Sequence, residues 1–176
     1  SFLEEVWSRN LLNLFASPLS PGEFILATMI LSFIKFLLAA VVTAALAWAF
    51  YGFNILRLGY ALLPLTLNLV AMGWAIGIFT TAVILRYGER AEVLAWGIAL
   101  LVQPFAAVFY PVSVYPDFLK PVALAMPATH AFEGMREVLF TGAFPASSLL
   151  AATGLNVLYL GASLAFFHFM FHQARV

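Results

Sequence analysis

The chain has 176 residues, of which 64% are apolar, 16% aromatic and only 9% charged, and this composition excludes an ordinary soluble domain. Eight basic residues balance eight acidic ones, so no net field would attract nucleic acid or anionic lipid. Without cysteine, the chain holds neither a disulfide framework nor a thiolate metal site. We therefore predict a membrane protein that does not bind nucleic acid.

Residues 1–19 form the first predicted element. Trp7, Leu11 and Leu14 recur on one helical face. Three polar residues lie towards the other face: Glu5, Arg9 and Asn13. The pattern predicts a short amphipathic helix at the membrane surface, either a plain interfacial anchor or a docking helix for a cytoplasmic partner. Because the chain begins at Ser1 without a basic leader region, we expect a fragment rather than a precursor with its signal peptide.

Four apolar runs are long enough to cross the hydrocarbon core, which requires about 20 helical residues. We predict membrane spans over residues 24–51, 58–85, 93–110 and 146–171. The start of the first span is marked by SPGE, in which Ser20 is an N-cap, Pro21 the first helical residue and Glu23 the capping-box acid. One domain over the whole chain is the simplest interpretation.

Residues 111–143, between the third and fourth predicted spans, are too broken for a span and too apolar for an ordinary loop. Prolines divide the first part of the segment, at Pro111, Pro116, Pro121 and Pro127. Irregular backbone is tolerated at membrane depth only where protein or a water-filled cavity surrounds it. We expect short re-entrant helices that dip in from the outer face and line a gate or pathway, with a plain interfacial cap as the alternative.

Several polar or small residues within the spans are candidates for a pathway or for helix packing. Lys35 either snorkels to the headgroups, faces the pathway or pairs with a carboxylate. Asn68 and Gln103 either line a polar route or hold helices together. Gly73 and Gly77 form a G-x-x-x-G pattern that would let another helix approach closely.

Catalytic and metal-binding patterns are sparse. His168 and His172 are four residues apart, a spacing that can place two ligands on one helical face, but no third ligand lies near them in sequence. We therefore predict no metal site. The chain contains no G-x-S-x-G, H-E-x-x-H or phosphate-binding G-x-x-x-x-G-K-[ST] motif, so we predict no enzymatic or ATPase site. An intramembrane enzyme, a passive channel and a membrane scaffold stay open as alternatives.

Three stretches carry a resemblance to a known family: FASPLSPGEF, MGWAIGIFTTAVILRYG and FAAVFYPVSVYPDFLKPVALAMPATHAFEGMREVLFTG. They resemble the membrane permease of the ABC-2 type transporter family. The resemblance extends over nearly the whole chain, and its most specific part is FYPVSVYPDFLKPVALAMPATHAFEGMR. It implies an all-α membrane protein with an N-terminal amphipathic helix and re-entrant outer helices before the last span, and here it implies four spans, the family's first two being absent.

The resemblance also implies function, partners and location. It implies a permease subunit of an exporter for a polysaccharide, lipid-linked molecule or drug, paired with a second permease copy among membrane lipids. A separate ABC ATPase subunit would hold ATP and Mg, and this chain would hold no cofactor. The resemblance further implies an inner (plasma) membrane protein with both ends in the cytoplasm.

Two sets of residues follow from matching this sequence to the family's plan. Contact with the ATPase subunit would fall on the coupling-helix region at Trp7, Leu11, Leu14 and Phe15. The outer gate would fall on Tyr110, Pro111, Tyr115, Pro116, His130, Glu133 and Arg136.

Overall fold

Every element in the part of the chain that the computed structural model describes, residues 21–88 and 92–174, is helical. The α-helices are α1 (Pro21–Tyr51), α2 (Leu62–Tyr87), α3 (Glu92–Phe105), α4 (Lys120–Leu124), α5 (Pro127–Thr141) and α6 (Ala146–Ala174). Two 3-10 helices lie at Ile55–Ala61 and Val112–Val114. The predicted amphipathic helix, with Trp7, Leu11, Leu14 and Phe15, lies outside the described residues.

Three helical stretches among the described residues are long and apolar enough to cross a membrane: Ile25–Tyr51, Ile55–Ile84 and Ala146–His172. They agree with the first, second and fourth predicted spans. The predicted span over 93–110 is not confirmed, because α3 has 14 residues and ends at Phe105. At about 1.5 Å per residue its length is about 21 Å, which is short of a hydrocarbon core of about 30 Å.

The early end of α3 has a local cause. Pro104 lies in its last turn, where proline has no amide hydrogen to donate and disfavours helical backbone in the residue before it. Two residues beyond the helix, Ala107 has a φ of 54°, in the left-handed region that ends regular helices. The chain therefore turns at residues 106–110 instead of continuing to the end of the predicted span.

By contacts the chain divides into two units, residues 1–45 and 46–176. The first contains most of α1, which is apolar along its length. In the second, α2 and α6 form the principal helix pair. They run in the same direction, since Asn68 contacts Asn156 near their N-terminal halves and Phe79 stacks on Phe166 further along. The chain between them must therefore return to the end where α2 began.

Helix α5 lies against the first half of α2 and runs back towards its beginning. The Ala128 amide at the start of α5 donates to Met72 Sδ at 3.3 Å, whereas Gly134 faces Leu65. At about 1.5 Å per residue, Met72 lies about 15 Å along α2 from Leu62. The start of α5 thus packs beside the middle of α2, and its later turns lie nearer the beginning of α2.

The end of α3 lies at the same level along α2 as the start of α5. Met72, Ala106 and Ala128 form one buried apolar cluster, packed against Val102 and Met126 among others. Three separate parts of the chain therefore meet at Met72: the middle of α2, the end of α3 and the beginning of α5.

Candidate functional site

The carbonyl groups at the end of α3 are the centre of the candidate site. The last carbonyls of any α-helix lack amide partners within the helix, and burial makes an unpaired carbonyl costly. Tyr115 Oη donates to the Pro104 carbonyl at 2.7 Å, and Thr129 Oγ1 donates to the Phe105 carbonyl at 3.3 Å. Side chains from beyond the helix thus supply the donors that the helix itself cannot.

Arg136 on α5 extends the same arrangement to the turn after α3. Its guanidinium donates to the carbonyl of Ala107 and, at 3.1 Å, to that of Val108. A cation beside the carbonyl end of a helix is also favoured by the helix dipole. We call this arrangement the helix-end junction; its members are residues 104–108, Val112, Tyr115, Thr129, Glu133 and Arg136.

Glu133 fixes the Arg136 side chain from the preceding turn of α5. Glu133 Oε1 lies 3.0 Å from Arg136 Nη1 and also accepts the Val112 amide hydrogen at 2.8 Å. The two side chains are partly buried, with 33% of Glu133 and 22% of Arg136 exposed. One carboxylate therefore links α5 both to its own arginine and to the start of the 3-10 helix at Val112–Val114.

Close backbone packing holds α5 in this position. A methyl group on Gly134 would come within 3.0 Å of Leu65 Cδ2 and within 3.3 Å of the Cβ atoms of Pro145 and Ser148. Any larger residue at this position would force Leu65 or the start of α6 to shift, so glycine lets α5 approach both α2 and α6 closely. Thr129, one turn and a half earlier, is fully buried.

The comparisons with known proteins bear on this same region. The model of the ABC-2 type transporter family matches residues 1–140, which include α1 to α4, all but the last residue of α5, and the whole helix-end junction. The chain belongs to the ABC-2 type transporter family. Together with the three apolar helices, this makes it a multi-pass membrane protein. No curated protein and no solved structure gives a significant match.

Permeases of the ABC-2 family are transport subunits, generally not catalytic themselves, and they normally work with an ABC ATPase subunit. Of the residues predicted for the outer gate of this ABC-2 chain, the structure brings Tyr115, Glu133 and Arg136 together at the helix-end junction. Tyr110 is exposed. Pro116 lies just before α4, and its carbonyl accepts the amide hydrogen of Leu119 at 2.9 Å.

His130 and Pro111 lie around the junction rather than in it. A ring nitrogen of His130, Nε2, lies 2.8 Å from the Leu124 carbonyl and so joins α5 to the end of α4. Pro111 accepts the Val114 amide at 3.1 Å and lines a cavity described below.

Thr129 in the junction and Gly134 next to Glu133 are two residues that the sequence alone did not single out. The signal for Thr129 is its position in the first turn of the helix that Pro127 begins. The signal for Gly134 is that it is the one glycine within the helix Pro127–Thr141, although glycine disfavours the interior of a helix.

The predicted pathway residues are dispersed through the ABC-2 chain. Asn68 is buried and holds α2 to α6, because Asn156 Nδ2 donates to Asn68 Oδ1 at 2.8 Å and to the Asn68 carbonyl at 2.9 Å. Thr153 Oγ1 lies 3.3 Å from both the Nδ2 and the Oδ1 atom of Asn68. These contacts favour helix packing over pathway lining for Asn68.

The other pathway candidates do not join that contact. Gly73 and Gly77 are exposed on α2, and a methyl group on either would meet no atom within 4 Å among the described residues. Gln103 is exposed on α3, and Lys35 is exposed on α1 in the first unit.

A half-open cavity of about 510 Å³ lies beside the helix-end junction. We name it the acidic cavity; it is lined by Pro111, Glu133, Arg136, Glu137, Phe140 and Ser148. Its lining combines the ion pair of the junction with a second carboxylate and an aromatic ring.

At the far end of α6, Nε2 of His168 lies 3.0 Å from Nε2 of His172. Among the described residues, no group of three or more potential ligands gathers around these or any other side chains. That this chain holds no metal therefore stays a prediction.

Proposed function

We propose that this chain is part of the membrane permease of an ABC-2 exporter, in which two permease copies form a translocation pathway driven by a separate ATPase subunit. The observation that carries the proposal is the family match over residues 1–140. The three apolar helices support the membrane part of the proposal. ATP and Mg would be bound by the ATPase subunit, and both ends of this chain would lie on the cytoplasmic side of the inner (plasma) membrane.

In this proposal the helix-end junction is the gate on the outer side. This assignment is supported by the positions of α3 and α5, because α3 ends and α5 begins beside Met72, in the middle of α2. Backbone groups of a continuous helix bond within that helix. Here the side chains of Tyr115, Thr129 and Arg136 bond instead to four carbonyls, those of Pro104, Phe105, Ala107 and Val108. Side-chain bonds of this kind can break without unwinding any helix, which suits an element that opens and closes.

Coupling is assigned to the predicted amphipathic helix. The apolar face at Trp7, Leu11, Leu14 and Phe15 would dock on the ATPase subunit and receive its motion. The cargo would be a polysaccharide, a lipid-linked molecule or a drug, since these are the classes implied by the resemblance to the family.

Copurification of the full permease with its candidate ATPase subunit tests this proposal. We expect the ATPase to copurify, and alanine at Trp7, Leu11 and Leu14 together to release it while the permease stays folded. A matched triple replacement on the other face, at Glu5, Arg9 and Asn13, should leave the complex intact. If no ATPase binds, the proposal fails, and a passive channel or scaffold without nucleotide coupling takes its place.

If the ATPase binds equally well to both triple variants, the permease assignment stands and the coupling helix lies elsewhere. Folding of each variant is checked by size-exclusion chromatography in detergent before the ATPase is added.

A further inference from the structure

The acidic cavity carries more negative charge than its neighbours neutralise. Of its two carboxylates, Glu133 is paired with Arg136 at 3.0 Å, and the rest of that guanidinium is directed to the carbonyls of Ala107 and Val108. Glu137 forms no ion pair with any residue that the structure describes. The lining therefore has one net negative charge, which is centred on Glu137.

The hydrogen-bonding capacity of Glu137 is largely unused as well. Its described side-chain partner is Ser148 Oγ, which lies 3.5 Å from Oε2, at the outer limit of a hydrogen bond. A carboxylate can accept about four hydrogen bonds, and charged donors make the strongest ones. The cavity thus offers a carboxylate that lacks a close donor.

An apolar surface adjoins this carboxylate. Phe140 is one turn further along α5 with 86% of its surface exposed, and Pro111 lines the same cavity. An aromatic face attracts a cation as well as an apolar group. The volume of about 510 Å³ is within the range of about 300–1,000 Å³ that is typical of small-molecule sites.

These features select a chemical class. An anion would be repelled by the net charge, and a neutral polyol would leave that charge unbalanced at the cavity wall. We propose that the acidic cavity binds an organic ammonium group attached to an apolar body, with Glu137 accepting its N–H groups and Phe140 contacting the body. The proposal deepens the proposed function and rests on it for the source of the ligand, which is either an exported amine or an aminophospholipid of the bilayer.

Binding of phenethylammonium to the whole chain in phosphatidylcholine nanodiscs tests the proposal. Phenethyl alcohol and phenylpropionate are the neutral and anionic analogues, and ligand-observed NMR measures all three. We expect the ammonium to bind most tightly and Glu137→Gln to weaken it about tenfold, the scale of one hydrogen bond to a charged group. The neutral analogue should respond little to the same replacement.

The matched control is Asp117→Asn, which removes the same charge from a side chain that is 96% exposed and already paired with Lys120. It should leave the affinity unchanged. Phe140→Ala is an independent second variant at an exposed position and should weaken the ammonium several-fold, whereas Phe118→Ala should not. Equal binding of phenethylammonium to Glu137→Gln and to the unmodified chain, or equal binding of the alcohol and the ammonium, overturns the proposal.

Adding phosphatidylethanolamine to the nanodiscs distinguishes the two sources of ligand. Competition by this lipid, lost in Glu137→Gln, assigns the cavity to an aminophospholipid headgroup. Binding that the lipid leaves unchanged assigns it to an amine in transit. Because the assay contains no ATPase, its result is independent of the copurification experiment, and either proposal can fail alone.

Discussion

The pairing of α2 with α6 and the helix-end junction are built in opposite ways. In the pair, two long apolar helices bond their own backbones internally, and the buried polar contact is a small set of side chains around Asn68 and Asn156. In the junction, a helix ends inside the fold, and side chains up to 29 positions away along the chain complete its carbonyl bonds.

The difference shows where polar residues are required in an apolar chain. Asn68 and Asn156 add to a helix contact that packing already supports. Arg136 and Thr129 satisfy backbone groups that would otherwise be buried without a partner, so their removal leaves a cost that packing cannot offset. Substitutions that leave buried groups of the junction without a partner should therefore be more damaging than substitutions at the α2–α6 contact.

The largest effect is expected from Arg136→Met. It leaves the Glu133 carboxylate without its cation and the Ala107 and Val108 carbonyls without a donor. We expect the free energy of unfolding to fall by about 3 kcal/mol. Unfolding in mixed detergent micelles, followed by tryptophan fluorescence, measures this change.

The control for that variant is Arg57→Met, at an exposed arginine in the 3-10 helix before α2. It should change the unfolding free energy by less than about 0.5 kcal/mol. Similar losses for the two arginines would remove the distinction between the junction and the rest of the surface.

A smaller loss is expected from Gly134→Leu, which inserts a side chain where Leu65, Pro145 and Ser148 leave no room. Overpacking of this kind costs about 2 kcal/mol. Gly154→Leu is the matched change on α6, where a methyl group meets no atom within 4 Å. The same unfolding measurement should find Gly154→Leu neutral or slightly stabilising, and an equal cost at both glycines would contradict the close packing of α5.

The α2–α6 contact should respond more weakly. Asn156→Leu removes the donor to Asn68 but also a side-chain oxygen, Asn156 Oδ1, that is buried without a described partner. We expect a loss of about 1 kcal/mol. The double variant with Asn68→Leu should cost little more than the single one, since the residues share one contact. Additive losses would show that they act separately.

The smallest effect belongs to Tyr115→Phe, which removes one hydrogen bond of 2.7 Å to the Pro104 carbonyl at the exposed edge of the junction. Water can replace this donor, so we expect a loss of about 0.5 kcal/mol. Tyr110→Phe, at a neighbouring exposed tyrosine, is the control and should have no measurable effect. A loss as large as that of Arg136→Met would mean that the exposed edge holds the junction together.

The sequence predicted the class of this protein because a membrane span needs length and apolarity, and both can be counted. The runs that became α1, α2 and α6 satisfy this rule without reference to any other part of the chain. The block from Phe109 to Arg136 likewise pointed to the ABC-2 family before any contact was known. Prolines in that block correctly indicated broken helices, as α4 and α5 show.

Tertiary structure alone decided where α3 stops and which polar residues meet. Length and apolarity alone predict a third span that continues to residue 110, past Pro104. A helix can end inside a protein only where distant donors reach its carbonyls, and Thr129 and Arg136 do so through the packing of α5 on α2. Pairings such as Asn68 with Asn156 depend on how whole helices align, which local periodicity does not encode.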